Sequence, residues 1–237
     1  MKTVLIITGS ENEYGSGHEM RMHALALELK RHKVTVQKLV LSDGESADPP
    51  LAYDLAILDR RDTAFPGFVV SSGARRIAID NRGRGRAEAD LVYDALPHTA
   101  MNDGEYSAAL AAVVLPRHVS VHECRSGAAT VSLYADAATA RANADFPPAT
   151  GRLSPQEFTA QMLKAERIAC YFGQTLFEAC YLGKQVQLYP VSDYHAELAE
   201  DFVRRLGQTP GLLSSLDGRG LDRLCQQVLR VLKEERK

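Results

Sequence analysis

The chain opens on a short apolar run, Val4-Leu5-Ile6-Ile7-Thr8, closed by Gly9, a glycine-bearing loop and then an amphipathic stretch. That order reads as strand, loop, helix. It recurs, and the recurrence limits the folds open to the chain. Thr3–Thr8 reads as a buried strand, and His18–His32 as a helix with Met22, Leu25, Ala26 and Leu29 on one face. Val34–Val40, Leu55–Asp59, Arg76–Asp80 and Leu91–Leu96 read as further strands. Strand-then-helix repetition predicts a parallel sheet with helices on both faces, an α/β fold whose ligands bind at the carboxyl ends of the strands. Gly15–His18, Asp59, Asp80 and Asp94 would then share one rim.

The second half keeps the rhythm. Val113–Pro116 reads as a strand entering a linker, and Val131–Ala135 as a strand. Ser154-Pro155-Gln156-Glu157 carries an N-cap, a first-turn proline and a capping-box partner. Arg167–Phe172 is the next strand, and Gly173-Gln174-Thr175 turns into a helix that ends at Leu182-Gly183, with Thr175 as its expected N-cap. Gln185–Pro190 is a strand, and helices follow near Tyr194–Leu206 and Leu221–Glu235. The face Leu221, Leu224, Cys225, Val228, Leu232 suits a helix docking on a domain. With 237 residues the chain has room for two small domains, expected at 1–100 and 101–237.

Composition removes several function classes. A formal charge of −2 gives no ground for nucleic acid or an acidic membrane surface as partner. The run Arg82-Gly83-Arg84-Gly85-Arg86 reads as a solvated loop. Cys124, Cys170, Cys180 and Cys225 are scattered and do not form a zinc ribbon or a disulfide framework. No apolar stretch approaches membrane-spanning length, and the first ten residues do not make a signal peptide, so a cytosolic protein is expected. There is no phosphate-binding G-x-x-x-x-G-K-[ST], no third glycine for a dinucleotide fingerprint and no G-x-S-x-G elbow. His18 and His23 lie on different helix faces, so no metal is expected, and no cofactor.

The candidate chemistry starts at Gly15-Ser16-Gly17-His18. Glycines let the backbone approach a diphosphate, and the unpaired N–H groups and dipole of a helix start suit an anion. His18 can act as a base near neutral pH. Arg21 can stabilise charge or orient the loop, and Tyr14 can cover a ligand. Asp59 and Asp80, at strand ends, either reach the site or cap loops. Glu178 stands three residues after Thr175, a capping-box spacing, but a carboxylate there can also accept both hydroxyls of a ribose.

Gly15-x-Gly17-His18-x-x-Arg21, followed by Leu25-Ala26-Leu27, resembles the opening of the GT-B nucleotide-sugar enzymes. Among them it is most similar to the UDP-sugar hydrolase of pseudaminic acid synthesis and its glycosyltransferase relatives. Tyr171-Phe172-Gly173-Gln174-Thr175-Leu176-Phe177-Glu178-Ala179-Cys180-Tyr181-Leu182-Gly183-Lys184 resembles their second signature. The resemblance implies two Rossmann-like domains with parallel sheets facing a cleft, and a UDP-sugar substrate. It implies His18 as the base that activates water, and Glu178 on the ribose with Gly173, Gln174 and Thr175 beside it. His195 stands where relatives often carry glutamine. The chain departs from the pattern at Ala135-Asp136, where relatives have a glycine-rich, phosphate-facing loop. A second reading therefore stands beside the enzyme: a non-catalytic ligand-binding or accessory protein.

Overall fold

The computed structural model describes residues 2–9, 16–42, 52–115, 130–132 and 153–234. In chain order the elements are β1 (Thr3–Gly9), α1 (Ser16–Arg31), β2 (Thr35–Leu41), β3 (Leu55–Asp59), α2 (Gly67–Ser71), β4 (Arg75–Ile79), α3 (Arg84–Glu88) and β5 (Leu91–Tyr93). Then come α4 (Asp103–Ala112), β6 (Thr130–Ser132), α5 (Pro155–Lys164), β7 (Arg167–Cys170), α6 (Gln174–Tyr181), β8 (Gln185–Leu188), α7 (Asp193–Gln208), a 3-10 turn at Leu212–Ser215 and α8 (Gly220–Lys233). The chain divides into two compact units, residues 1–95 with 219–237, and residues 96–218.

The first unit is built on a five-stranded sheet in the order β2-β1-β3-β4-β5, every pairing parallel. β1 and β3 sit inside it, and Val4 to Ile7 and Leu55 to Leu58 are all fully buried. Strands covered on both faces need such unbroken apolar runs. Burying each of the valine, leucine and isoleucine side chains among them contributes about 1.5–3 kcal/mol. The register sets Thr8 beside Asp59, so the ends of β1 and β3 coincide. α1 buries Met22, Leu25, Ala26 and Leu29. α8 packs against α1 and β4 through Leu221, Leu224, Cys225, Val228 and Leu232, so the apolar face legible in the sequence docks on the first unit.

The loops after β3 and β4 are tied together by Asn81, fully buried. Its Nδ2 donates to the carbonyls of Arg60 (2.6 Å) and Thr63 (2.9 Å), and its Oδ1 accepts from the N–H groups of Gly83 and Arg86, both at 3.0 Å. The Arg82–Arg86 segment is thus not a plain solvated loop. It leads into α3, and the Arg86 guanidinium grips Asp94 with both terminal nitrogens, at 2.8 and 3.1 Å. The glycines are there for close approach. A Cβ on Gly83 would overlap the Asp62 carbonyl, and one on Gly85 would lie 2.6 Å from the Thr63 carbonyl oxygen.

The second unit carries a parallel three-stranded sheet, β6-β7-β8. Ile168, Cys170, Phe172, Leu176 and Phe177 lie in its core with Leu198 and Phe202 of α7. The capping box at α5 forms as the sequence suggests, Ser154 accepting from the Glu157 N–H and Glu157 accepting from the Ser154 N–H. α6 stops at Gly183, which takes a positive φ of 67° while Gly183 and Lys184 donate back to Cys180 and Ala179. Val113–Leu115, expected as a strand, is not one. It is a buried irregular segment, and the Val114 carbonyl is satisfied by the Gln174 side chain instead of a strand neighbour. Pro116 and residues 133–135, also expected in strands, lie outside the described residues.

Gly83→Ala should lower the unfolding free energy by about 1–3 kcal/mol, through the overlap with Asp62. Gly67→Ala, where nothing lies within 4 Å of the new methyl, should be neutral or slightly stabilising. Urea denaturation of the two variants beside the parent chain checks the contrast.

Candidate functional site

In the first unit the sequence places His18 and Arg21 three residues apart on α1, hence on one helix face. That face meets the ends of β3 and β4. Arg21 is 2% exposed and Asp59 fully buried. The guanidinium Nε donates to Asp59 Oδ2 at 2.7 Å, one terminal nitrogen donates to Asp59 Oδ1, and the other to Asp80 Oδ2 at 2.5 Å. Arg21 therefore binds Asp59 through a two-pronged fork and Asp80 through a third bond, the geometry for which arginine is suited. It does not pair with Glu28, which takes Arg31 instead.

Asp80 follows β4 with a φ of 49°, a left-handed conformation that aspartate tolerates better than most residues. Its second oxygen accepts the Ala95 N–H at 2.7 Å. Arg21 thus links α1 to the ends of two strands and to the segment after β5.

His18 completes the cluster. Its Nδ1 lies 2.7 Å from Asp59 Oδ1. Burial works against a charge on Asp59, but the Arg21 guanidinium and the His18 imidazole outweigh it and hold the carboxyl well below the usual carboxylate range. Arg21 Nη2 also lies 3.3 Å from Nδ1, but an ionised carboxylate only accepts hydrogen bonds, so the shorter Asp59 contact assigns the proton to Nδ1 and, in the neutral ring, the lone pair to Nε2. This is the arrangement by which a carboxylate orients a histidine base.

Of the loop before His18, Tyr14 and Gly15 lie outside the described residues. Ser16 opens α1, and Gly17 is half-buried in its first turn. Asp94 is engaged by Arg86 at the same strand ends. Asn81, which holds the two loops beside the cluster, has only one sequence cue: a polar residue directly after a buried strand and before Gly83.

In the second unit, the loop after β7 and the start of α7 after β8 come together. The Tyr171 and His195 rings meet edge-on with centroids 5.0 Å apart. His195 lies in the first turn of α7, its N–H donating to the capping Ser192 Oγ and its Nδ1 lying 2.7 Å from that oxygen. At α6 the N-cap is Gly173, not Thr175. Gly173 is extended, and no side chain caps the helix. Thr175 lies inside the first turn, so the capping-box role for Glu178 does not arise.

Glu178 is instead buried, and its Oε1 accepts from Gln174 Nε2 at 3.2 Å. Burial raises the Glu178 carboxyl, only partly countered by the Gln174 bond, and pushes it up to about 7. Gly173, Gln174, Thr175, Glu178 and His195 thus belong to the second unit, and His18, Arg21, Asp59 and Asp80 to the first.

Among the described residues there is no group of three or more His, Cys, Asp or Glu side chains arranged to hold a metal ion. Among the same residues no helix is long and apolar enough to cross a membrane.

No protein-family model matches the sequence, and neither does any curated protein at a significant level. Among solved structures, a crystal structure of UDP-N-acetylglucosamine 2-epimerase is similar over 100% of this chain and 99% of that one, with 13% identity and a TM-score of 0.50. At that identity the likeness shows the fold: a GT-B-like α/β fold with parallel, Rossmann-type sheets.

Removing Arg21 leaves two carboxylates in a buried site without their cation. Arg21→Ala should cost about 3–5 kcal/mol in urea denaturation at neutral pH. Asp59 sits below its unfolded value, so its contribution is full above the ordinary aspartate pKa of about 4 and is lost as pH falls below it. The deficit of Arg21→Ala should therefore shrink in acid. Glu178 has the opposite sign. Its folded value lies above the unfolded one, so wild-type stability should fall as pH rises from about 4.3 towards about 7. Glu178→Gln should remove that part of the slope, read from thermal midpoints across the range.

Proposed function

We propose that the chain is a nucleotide-sugar enzyme that takes a UDP-sugar, with His18 as its general base. The observation that carries this reading is the Asp59–His18 bond at the carboxyl end of the parallel sheet, where α/β folds bind their ligands. Its support is threefold: an oriented imidazole, the resemblance of the two sequence signatures to those of UDP-sugar enzymes, and a fold shared with a UDP-N-acetylglucosamine 2-epimerase.

In the hydrolytic form of the reaction, His18 Nε2 takes a proton from water as the water oxygen attacks C1 of the sugar. The bond from C1 to the diphosphate oxygen breaks, and UDP leaves with the electron pair. Asp59 stabilises the imidazolium that forms. Arg21 holds Asp59 in place and contributes through it, so it is a positioning residue. Glu178, with Gly173, Thr175 and His195 around it, would receive the ribose and phosphates.

Incubation with UDP-N-acetylglucosamine, followed by phosphorus NMR for released UDP and proton NMR for the sugar, tests the reading. Turnover should be detectable and should fall about 10²–10⁴-fold in His18→Ala. UDP binding without turnover would favour the ligand-binding reading. Neither binding nor turnover by the folded wild-type chain would overturn the proposal.

A further inference from the structure

The Gln174 side chain holds the Glu178 carboxyl. Its Nε2 donates both to the Val114 carbonyl, at 2.7 Å, and to Glu178 Oε1, at 3.2 Å. The Val114 carbonyl can only accept, so the amide nitrogen must face it and Oε1 must face away. That Oε1 is buried and has no hydrogen-bond partner among the described residues. A buried acceptor left unpaired is costly and calls for an explanation. The inward position of Gln174 thus satisfies Glu178 and Val114 while its own carbonyl goes unsatisfied.

We infer that Gln174 is a latch over Glu178, standing in for the hydroxyl donors of the ligand and leaving when they arrive. This rests on the reading of the second unit as the nucleotide holder, and it adds what controls access to it. A ligand qualifies by offering O–H donors to Glu178, as a ribose diol does, since only donors replace the amide N–H that departs. The outward swing releases the unpaired Oε1 to water, which offsets part of the two hydrogen bonds given up. Binding therefore carries a conformational cost, and shortening the side chain removes it.

Calorimetric titration with UDP of the wild-type chain, Gln174→Ser and Gln174→Ala tests the latch. Both variants should bind UDP about 5- to 30-fold more tightly than wild type. A purely structural Gln174 would not tighten binding when removed. Equal or weaker affinity in the folded variants, with wild type binding, would overturn the latch and leave the nucleotide reading standing. No binding by any of the three would overturn both. In the wild-type chain itself, saturation with UDP should move the Gln174 side-chain amide NMR signal to a rapidly exchanging, solvent-like position. A signal that stays protected contradicts the latch without recourse to any variant.

Discussion

The guanidinium of Arg21 is the hub of the first unit. It is buried, and its three donating nitrogens reach Asp59 and Asp80, which end adjacent parallel strands. A buried charge survives only when paired and hydrogen-bonded, and here each charge depends on the others. Asp59 stays ionised because Arg21 is there, and His18 is oriented because Asp59 is ionised. Asp80 keeps a left-handed backbone while bound to Arg21 and to the Ala95 N–H. The site is thus a consequence of how the helix is pinned to the sheet.

The second unit treats its carboxylate in the opposite way. Among the described residues no arginine pairs with Glu178. Burial pushes it up to about 7, and a neutral amide is its hydrogen-bond partner. One carboxyl is held ionised to orient a base, and the other is held near neutrality behind a side chain. Environments that separate carboxyl pKa values in this way are how a protein divides roles between like groups.

Much of this was legible in the sequence. Unbroken apolar runs at Val4–Ile7 and Leu55–Leu58 announce parallel strands, and the face Leu221 to Leu232 announces a docking helix, because period and burial are local properties. His18, Asp59, Asp80 and Asp94 could be placed at one rim from the order of strands and loops. That Arg21 would grip both aspartates was not legible, since the choice among Glu28, Asp59 and Asp80 is made by sheet register. Asn81 was missed because a single buried asparagine has no period. Thr175 was misplaced as a cap because Gly173, in an extended conformation, already ends the loop. Val113–Leu115 has the composition of a strand, but its middle carbonyl is taken by a glutamine sixty residues away.

The account turns on which nitrogen of His18 carries the proton, because that decides whether the ring can accept one where a ligand would lie. Nitrogen-15 NMR of the His18 ring, at a pH where it is neutral, measures this directly. The Asp59 carboxylate demands a proton on Nδ1 and a lone pair on Nε2. A spectrum showing that tautomer supports His18 as an oriented base. A proton on Nε2, with Nδ1 bare beside an ionised Asp59, would contradict the account.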